Sequence, residues 1–473
     1  MKPLYLDGNF TETKSSEPVH NPWSGEKLAE VCTASATEVE AALASCHRAF
    51  AKTCQLTAAE RSGTLDKIAK LLAARRQEFI DTIVAEAGKP VVFAEAEVDR
   101  ARTTFRFAAA LALMDEGHGI AMDASPPGTG HFGIVRRFPI GTILGITPFN
   151  FPLNLVAHKV APCLATGNTM LLKPAMKTPL SALLLAEVLH EAGVPAGQVN
   201  VVPFGHKFVD PLLADPRVKM LSFTGSVDVG WQLKSRAGKL KVALELGGNA
   251  AVVVEPDCDW RAAVPKIAAA AYGYAGQSCI SVQRILVDRS IAAEFRTALV
   301  SHVREKIPSG NPALRETVVG PMINAAARDK ILDWISQAEK AGARLLTPVH
   351  TEGASLLGPV LLENVPADSP PLCDEAFAPL AVLQEYSGFG EAIDLVNASR
   401  FGLQAGVFTD SLSKAHRAFA ELEVGGVMVN QVPTFRVENM PYGGVKDSGF
   451  GREGVRYAME EMTEPRALVV NRS

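Results

Sequence analysis

Three side chains of this sequence, a thiol, a carboxylate and an amide, could together carry out chemistry on a carbonyl group. Cys279 lies in the segment 276–281, among glycine, glutamine and serine residues, and shortly before the apolar run 285–287. A buried structural cysteine usually has bulky apolar neighbours, so this thiol is predicted to face a site. Glu245 precedes two glycines, and Asn150 lies between two prolines. A nucleophile, a base and a hydrogen-bond donor form a complete set for acyl chemistry.

The elements predicted around these residues place them at the ends of strands. Strand-like and helix-like segments alternate from residue 138 to residue 237, with proline at a helix start and glycine at a helix end. This alternation predicts a parallel sheet with helices on both faces, and such sheets bind ligands at the carboxyl ends of their strands. A second αβ series begins at 250–254 and continues past residue 420. The fold class is therefore predicted to be α/β.

Two long helices are predicted before this alternation. A capping box at Thr57 and Glu60 begins an amphipathic helix that Gly88 ends, and a second helix covers about residues 95–114. A segment rich in glycine and proline follows, from 117 to 139.

Composition narrows the partners and the compartment. The 473 residues, 47% of them hydrophobic, are enough for two or three domains. A net charge of −4 gives no reason to expect nucleic acid or an anionic membrane as a partner, and no apolar run could span a bilayer. Seven cysteines without a Cys-x-x-Cys pair argue against disulfides and a thiolate metal site. We expect a cytoplasmic protein without a metal or a signal peptide.

Motifs in a characteristic order resemble the aldehyde dehydrogenase superfamily, from about residue 5 to the C-terminus. They are Pro-Phe-Asn-Phe-Pro at 148–152, Phe-Thr-Gly-Ser at 223–226, Glu-Leu-Gly-Gly-Asn at 245–249, Gly-Gln-Ser-Cys-Ile-Ser at 276–281, Glu-Ala-Phe-Ala-Pro at 375–379 and Pro-Tyr-Gly-Gly-Val-Lys at 441–446. The chain is most similar to the branch that contains lactaldehyde, non-phosphorylating glyceraldehyde-3-phosphate and phosphonoacetaldehyde dehydrogenases.

The resemblance implies a domain organisation. It comprises a Rossmann-like cofactor-binding domain in two parts, an oligomerisation hairpin, a second α/β domain that is catalytic, and a C-terminal oligomerisation tail. The corresponding residues are 1–117 and 139–245, 118–138, 246–455, and 456–473. A homodimer or homotetramer is expected.

The resemblance also implies the reaction. Cys279 attacks an aldehyde, Asn150 and the Cys279 backbone N–H stabilise the oxyanion, and loss of hydride leaves a thioester. Glu245 then activates the water that releases the carboxylate, and partial burial would raise its pKa toward neutrality.

The cofactor is expected to be NAD or NADP. Lys173 ends a predicted strand and resembles the family lysine that contacts the adenosine ribose. Met176 stands where many members have a glutamate that binds both ribose hydroxyls and repels a 2′-phosphate, so NADP should be tolerated, and Lys177 adds positive charge. The resemblance assigns further cofactor contacts to Thr147, Pro148, Phe149, Gly225, Ser226, Leu246, Glu375 and Phe377.

The substrate is predicted to be a short polar or anionic aldehyde. His158 follows Asn150 by two helical turns, at a position that faces the substrate tunnel in the family. Arg436 is predicted near the tunnel mouth, where it could bind an anion. Arg102 and Arg106 are weaker candidates, since a solvated helix face explains them.

Several alternatives stay open. A cysteine hydrolase or acyltransferase would need a histidine partner for the thiol, and no such pattern is visible. A non-catalytic relative should have lost one of Cys279, Glu245 and Asn150, and none is lost. A CoA-acylating dehydrogenase would resolve the thioester with CoA instead of water. The Gly-x-G-x-x-Gly match at 449–454 is interpreted as loop and turn, because no βαβ unit can follow it.

Overall fold

The computed structural model describes residues 1–114 and 117–472. Residues 115 and 116 of the predicted cofactor-binding domain and residue 473 of the predicted C-terminal tail lie outside these ranges. The strands up to residue 245 are β1 (Leu4–Leu6), β2 (Asn9–Thr11), β3 (Ser15–His20), β4 (Lys27–Thr33), β5 (His118–Ile120), β6 (His131–Pro139), β7 (Thr142–Ile146), β8 (Thr169–Lys173), β9 (Val199–Val201), β10 (Val218–Thr224) and β11 (Lys241–Glu245). The helices are α1 (Ala36–Thr53), α2 (Ala58–Ala74), α3 (Arg76–Ala87), α4 (Val91–Ala112), α5 (Asn154–Thr166), α6 (Leu180–Ala192), α7 (Val209–Ala214) and α8 (Val227–Arg236).

After residue 245 the αβ alternation resumes. The strands are β12 (Ala250–Val254), β13 (Val282–Asp288), β14 (Arg344–Leu345), β15 (Thr351–Glu352), β16 (Leu356–Leu357), β17 (Val360–Glu363), β18 (Leu380–Tyr386), β19 (Phe401–Gly402), β20 (Gln404–Phe408), β21 (Gly426–Val429), β22 (Val445–Lys446), β23 (Gly449–Phe450) and β24 (Thr463–Asn471). The helices are α9 (Trp260–Tyr272), α10 (Ala292–Lys306), α11 (Ala325–Lys340), α12 (Pro370–Cys373), α13 (Phe389–Asn397), α14 (Leu412–Glu421) and α15 (Val455–Glu461).

The first large sheet has the strand order β2-β1-β9-β8-β7-β10-β11-β23. Its five central strands, β9, β8, β7, β10 and β11, are parallel. The strands β1 and β23 pair antiparallel with the two ends of this group. Leu172 packs into a core with α2 to α6, whereas the adjacent Leu171 packs into a second core with α1, α7 and α8. Because neighbouring side chains of a strand point to opposite faces, helices cover both faces, as predicted.

The second large sheet has the order β14-β17-β18-β13-β12-β20-β21, and only β14 is antiparallel to its neighbour. Val252 and Val254 pack into one core, which includes α9 and α10, and Val253 packs into the other, with α13 and α14. The predicted α/β fold with two sheets is therefore confirmed.

The C-terminal segment returns to the first half of the chain. β24 pairs antiparallel with β6 along its whole length, and β5 completes a three-stranded sheet. β23 pairs with β11, the strand that ends at Glu245. The segment 449–454 is thus a short antiparallel edge strand followed by a turn, and no further strand of the parallel sheet follows it. Residues 449–450 are therefore a strand and not the predicted loop, whereas the prediction that no βαβ unit follows them is confirmed.

The helix predicted from Thr57 to Gly88 is two helices. The capping box is present, and Gly88 ends α3 in the left-handed conformation, at φ 61°. Between them Arg75 leaves the helical conformation, at φ −98° and ψ 18°. Its guanidinium binds Glu78 and Glu187, and these contacts fix the bend. No glycine or proline at this position indicates the bend in the sequence.

No helix in the described ranges is long and apolar enough to cross a bilayer. Within the same ranges, no group of three or more His, Cys, Asp or Glu side chains could hold a metal ion. All seven cysteines are free thiols.

Candidate active site

A cavity of about 380 Å³ lies between the carboxyl ends of strands of the first sheet and residues that precede β13 and β18 of the second sheet. Residues that follow β7, β10 and β11 form one side of its wall, and the segments after α9 and before β18 contribute to the remainder. The wall contains most of the predicted site residues, namely Pro148, Phe149, Asn150, Gly225, Ser226, Glu245, Leu246, Cys279, Glu375, Phe377 and Arg436. Thr147, His158, Lys173 and Met176 lie outside this wall.

A strained turn places Cys279 in the wall. Tyr274 and Ala275 both have φ 53°, and Gly276 has φ 65°, so three consecutive residues are left-handed. Such backbone costs on the order of 1–3 kcal/mol for each non-glycine residue and persists only where the surroundings hold it. At Gly276 a Cβ would lie 2.0 Å from the carbonyl oxygen of Ala378, so only glycine fits. The turn is therefore built to present the residues that follow it.

The Cys279 thiol has one hydrogen-bond partner among the described residues. Its Sγ lies 2.8 Å from the hydroxyl of Tyr442. Burial raises the pKa of the thiol to about 12, and the hydrogen bond from Tyr442 opposes that rise. The nearby carboxylates of Glu375 and Glu245 raise the pKa further, whereas Arg436 lowers it.

Asn150 lies beside this cysteine in the loop between β7 and α5. Its Nδ2 donates to the backbone carbonyl of Gln277 at 3.0 Å, which fixes the amide and leaves its second N–H free to point elsewhere. The backbone N–H of Cys279 donates to none of the described residues. Two donors, one side-chain and one backbone, are thus available near the thiol.

The buried Glu97 fixes the loop that carries Asn150. One of its oxygens accepts from the backbone N–H groups of Leu153 and Asn154, both at 3.0 Å, at the start of α5. The other oxygen pairs with Lys89, whose Nζ also lies 3.7 Å from the ring centre of Phe151. The ion pair is completely buried, so losing either partner would leave an uncompensated charge.

Glu245 reaches the wall as the last residue of β11. Its side chain is 3% exposed, and neither carboxylate oxygen has a hydrogen-bond partner in the described structure. Burial and the negative charge of Glu453 raise its pKa well above the usual range. The two glycines that follow allow close packing: a Cβ at Gly247 would collide with Glu375, and one at Gly248 would lie 2.8 Å from the Cys279 carbonyl oxygen.

The far side of the cavity has the features of a dinucleotide site. The turn between β10 and α8 presents Ser226 at a helix N-terminus without a side-chain cap, so the first backbone N–H groups of α8 have no side-chain acceptor. The hydroxyl of Thr224 is buried without a partner. Burial raises the pKa of Glu375 to about 7, and its Oε1 accepts from the Gly248 N–H at 3.1 Å. These groups fit the phosphates and a ribose of NAD(P).

Two aromatic rings complete this side. Phe149 and Phe377 meet edge to face, with ring centres 5.7 Å apart. Phe377 has φ 49°, another strained conformation for a residue with a side chain. Both rings line the cavity.

Lys173 and Met176 lie farther along the same sheet edge. Lys173 ends β8, and its neighbour β9 leads to His206, so both residues lie at the carboxyl edge of adjacent parallel strands. Lys173 is 3% exposed, and burial lowers its pKa to about 8. Its positive charge in turn lowers the pKa of His206. Met176 is half-buried beside the exposed Lys177, and no carboxylate stands at this position.

His158 lies behind the wall rather than in it. It is 1% exposed, and its Nε2 contacts Glu438 while its Nδ1 lies 3.3 Å from a guanidinium nitrogen of Arg436. Burial and the positive charge of Arg436 lower its pKa. A neutral ring with its proton on Nε2 satisfies both contacts. His158 does not share a face with Asn150, because α5 begins only at Asn154 and Asn150 lies outside its helical register.

Arg436 does line the cavity, as predicted, and it is buried. Its guanidinium lies 3.7 Å from the ring centre of Tyr442 and 3.4 Å from Glu453, which also pairs with Lys159. Its Nε has no hydrogen-bond partner in the described structure. Although burial opposes ionisation, the charges of Lys159 and Arg436 help to lower the pKa of Glu453 to about 2.

The sequence reasoning missed Arg100 and Tyr442. Arg100 lines the cavity from α4, and its Nε binds Glu438 at 2.5 Å. The signal was the spacing of three and four residues between Glu97, Arg100 and Thr104, which puts three polar residues on one face of α4. Arg102 and Arg106 are exposed on the other side of that helix. Tyr442 belongs to the motif at 441–446, which assigned no role to its side chain.

Comparisons with known proteins agree with this geometry. Residues 10–468 match the aldehyde dehydrogenase family. The chain is 40% identical over 469 residues to a 3-sulfolactaldehyde dehydrogenase of Priestia aryabhattai, covering 99% of this chain and 98% of the relative. The chain belongs to the aldehyde dehydrogenase family.

Solved structures show the same relationship. Aldehyde dehydrogenase 21 of Physcomitrella patens, in complex with its reaction product succinate, is 39% identical, with a TM-score of 0.96 and coverage of 100% of this chain and 98% of that one. A glyceraldehyde-3-phosphate dehydrogenase of Methanocaldococcus jannaschii, complexed with NADP, is 35% identical, with a TM-score of 0.92 and coverage of 97% and 100%. This protein is an NAD(P)-dependent aldehyde dehydrogenase.

Proposed function

We propose that this enzyme oxidises a short aldehyde that carries a sulfonate or carboxylate group. The observation that carries the proposal is the buried guanidinium of Arg436, which lines the same cavity as Cys279 and keeps an unpartnered Nε. Arg100 adds a second guanidinium to the wall. Arginine forks match sulfonate and carboxylate groups well, because two N–H groups can bind two oxygens at once.

The roles proposed for the chain's own residues follow from their positions. Cys279 attacks the aldehyde carbon, and the free N–H of the Asn150 amide and the Cys279 backbone N–H bind the oxygen that becomes negative. NAD(P), when bound, supplies the acceptor for the hydride that this carbon loses. A thioester on Cys279 remains, and Glu245 takes the proton of the water that hydrolyses it. The low water content of a buried site strengthens each of these interactions.

A network of alternating charges supports the two arginines. Glu438 holds Arg100 and His158, and Glu453 holds Arg436 and Lys159. Neither carboxylate lines the cavity, so the guanidiniums face the substrate while their counter-charges lie behind them. Names of relatives are consistent with an anionic substrate: one oxidises sulfolactaldehyde, and another was solved with succinate as product.

Steady-state kinetics with matched aldehydes test the proposal. Sulfolactaldehyde, sulfoacetaldehyde and succinic semialdehyde should have kcat/KM values about tenfold or more above those of neutral lactaldehyde and butanal. A neutral aldehyde that matches or exceeds all three anionic ones would contradict it.

A pair of variants on α4 tests the recognition itself. Arg100→Met should raise KM for the best anionic aldehyde by about 10- to 100-fold, since a hydrogen bond to a charged group contributes about 1.5–3 kcal/mol. The KM for lactaldehyde should stay the same. Arg102→Met, two residues away and exposed, is the matched control. Equal effects of the two changes would remove Arg100 from the substrate site.

Water, and not CoA, is proposed to resolve the thioester. The carboxylate of Glu245 in the cavity wall supports this, because a base is needed to activate water. No histidine lines the cavity in the described part of the chain, which disfavours a cysteine hydrolase. Product analysis decides between water and CoA: free carboxylate should form at full rate without CoA. Turnover that requires CoA would assign the acylating branch.

A homo-oligomer, a dimer or a tetramer, is proposed as the working form. Support comes from the three-stranded sheet of β5, β6 and β24, which exposes Phe132, Leu468, Val469 and Val470, and from the 78% exposed Phe419 of α14. Exposed apolar groups of this kind mark protein interfaces. Light scattering of wild type and Leu468→Glu should show a smaller assembly for the variant. The seven free thiols support a reducing compartment such as the cytoplasm.

A further inference from the structure

The hydroxyl of Tyr442 touches the sulfur of the predicted nucleophile, and no role has yet been given to it. It lies 2.8 Å from the Cys279 Sγ, and Tyr442 is 3% exposed in the wall of the cavity. In the described structure the hydroxyl has no other hydrogen-bond partner, so this contact alone satisfies it. Since the sulfur is its single hydrogen-bond partner in the described structure, the Tyr442 hydroxyl is positioned to act on Cys279.

We propose that Tyr442 is a further catalytic residue, whose hydroxyl donates a hydrogen bond to the Cys279 thiolate and thereby makes the nucleophile available. The inference rests on the proposed function, in which Cys279 is the nucleophile. Only the thiolate attacks carbonyl carbon efficiently, and a buried thiol resists ionisation. A donor already in contact with sulfur stabilises the anion without any rearrangement.

Once Cys279 is ionised, only the Tyr442 hydroxyl has a proton to donate across this contact. Burial raises the pKa of its hydroxyl well above the ordinary value, and the neighbouring Cys279 raises it further. The phenol therefore keeps its proton when the thiol loses its own. Arg436 lies on the face of the ring, 3.7 Å from its centre, where its positive charge makes the hydroxyl a stronger donor.

The charged groups near the sulfur have opposite effects on the ionisation of Cys279. Glu375 and Glu245 disfavour the thiolate, and Arg436 favours it. Tyr442 supplies the only direct hydrogen bond to the sulfur in the described structure. Its removal should therefore shift the ionisation of Cys279 even though all the charged groups remain.

The test is the rate at which iodoacetamide alkylates Cys279 in the cofactor-free enzyme, measured from pH 6 to pH 10 for wild type and Tyr442→Phe. Mass spectrometry of the digested protein follows Cys279, and the half-buried Cys54 and Cys373 serve as internal reference thiols. A hydrogen bond to a charged acceptor is equivalent to about one to two pKa units. Burial raises the pKa of Cys279 to about 12, so the log rate rises linearly with pH over this range, and the whole line of Tyr442→Phe should lie below that of wild type.

The expected loss of rate at neutral pH is smaller than the loss of thiolate. A thiolate of higher pKa is also a better nucleophile, so alkylation near pH 7 should slow by about 3- to 12-fold. Tyr272→Phe is the matched control, because it removes another buried hydroxyl, one that contacts only the Val360 carbonyl. Its curve should coincide with that of wild type.

Tyr442 is buried, so the fold of Tyr442→Phe has to be established independently. Near-UV circular dichroism and the melting temperature serve for this, and Tyr442→Leu provides a second variant without a hydroxyl. Curves of a folded variant that coincide with wild type would overturn the proposal, since a merely structural tyrosine would leave the ionisation of sulfur unchanged.

Failure of the proposed function looks different. If Cys279→Ala retained dehydrogenase turnover, Cys279 would not be the nucleophile, and Tyr442 would lose its catalytic role with it. The alkylation curves would still report whether the hydrogen bond exists. Turnover lost in Cys279→Ala together with unshifted alkylation in Tyr442→Phe would retain the nucleophile and reject the tyrosine.

Discussion

Replacing Glu245 by glutamine should separate the two halves of the reaction. The substitution keeps the shape of the side chain and removes its ability to accept a proton. Neither oxygen of Glu245 has a partner in the described structure, so no hydrogen bond that holds the fold is lost. In the proposed mechanism, acylation of Cys279 does not use this carboxylate, whereas hydrolysis of the thioester does. We therefore expect acylation to persist and deacylation to slow.

The size of the effect follows from general base catalysis. A positioned base contributes about 10²- to 10⁴-fold, and Glu245, the proposed base, lines the same cavity as Cys279. Rapid mixing with saturating aldehyde should show a burst of about one NAD(P)H per active site, followed by turnover slower by that factor. Loss of turnover below about tenfold, or a slow burst with unchanged steady state, would refute the assignment.

The pH dependence gives an independent check. The pKa of Glu245 is raised by burial and by the charge of Glu453, and the base works only as a carboxylate. Wild-type kcat should therefore fall as pH falls through this raised pKa, provided that deacylation limits the rate. The residual rate of Glu245→Gln should lack that step. An identical pH profile in both proteins would assign the titration to another group.

The raised pKa of Glu245 also predicts that Glu245→Gln is more stable than wild type at alkaline pH. A carboxyl group whose folded-state pKa is raised holds its proton more tightly in the native state, so the native state loses stability as pH rises from the unfolded-state pKa to the folded-state pKa. Glutamine does not titrate. Glu245→Gln should therefore melt at a higher temperature than wild type at pH 8, with the difference vanishing at acidic pH. Glu339→Gln, an exposed change on α11, is the control and should show neither effect.

Three further substitutions test the remaining site residues. Cys279→Ala should abolish aldehyde oxidation while calorimetry still detects NAD(P) binding, and turnover near the wild-type level would end the covalent mechanism. Asn150→Ala should lower kcat by about 10²- to 10³-fold, the scale of one oxyanion donor, and a change below about threefold would exclude it from that role. Met176→Glu should shift the ratio of kcat/KM values by about tenfold or more toward NAD, because the carboxylate gains ribose hydrogen bonds and repels a 2′-phosphate beside Lys173. An unchanged ratio would mean that position 176 does not contact the ribose.

The motifs at 245–249 and 276–281 predicted their part of the cavity well because they contain glycines that close contacts require. Gly247 and Gly248 are required by the close approach of Glu375 and Cys279, and Gly276 by the Ala378 carbonyl. Sequence patterns of this kind record backbone contacts, which few substitutions tolerate. The parallel sheets with helices on both faces were recoverable because alternating αβ segments have few allowed topologies.

The sequence could not predict which layer a polar residue occupies. The side chains of His158 and Arg436 are both nearly inaccessible to solvent, yet only Arg436 lines the cavity. Helical spacing gives the direction of a side chain but not its distance from a surface, which depends on packing between elements far apart in sequence. Glu438 and Glu453 contact partners about 280–340 residues away, and no local pattern indicates such pairs.

The return of the C-terminus to the first sheet determines when the enzyme can become active during its synthesis. β11 ends at Glu245, but its edge partner β23 begins at Gly449, about 200 residues later. At 5–20 residues per second, a ribosome needs about 10–40 s to make that interval. For this time β11 is an uncovered strand edge, a site for pairing with other chains. Lys159 also lacks its ion-pair partner, Glu453, during this time. A chain that stops before residue 449 therefore carries Cys279, Glu245 and Asn150 but not the strand and the carboxylate that complete their surroundings.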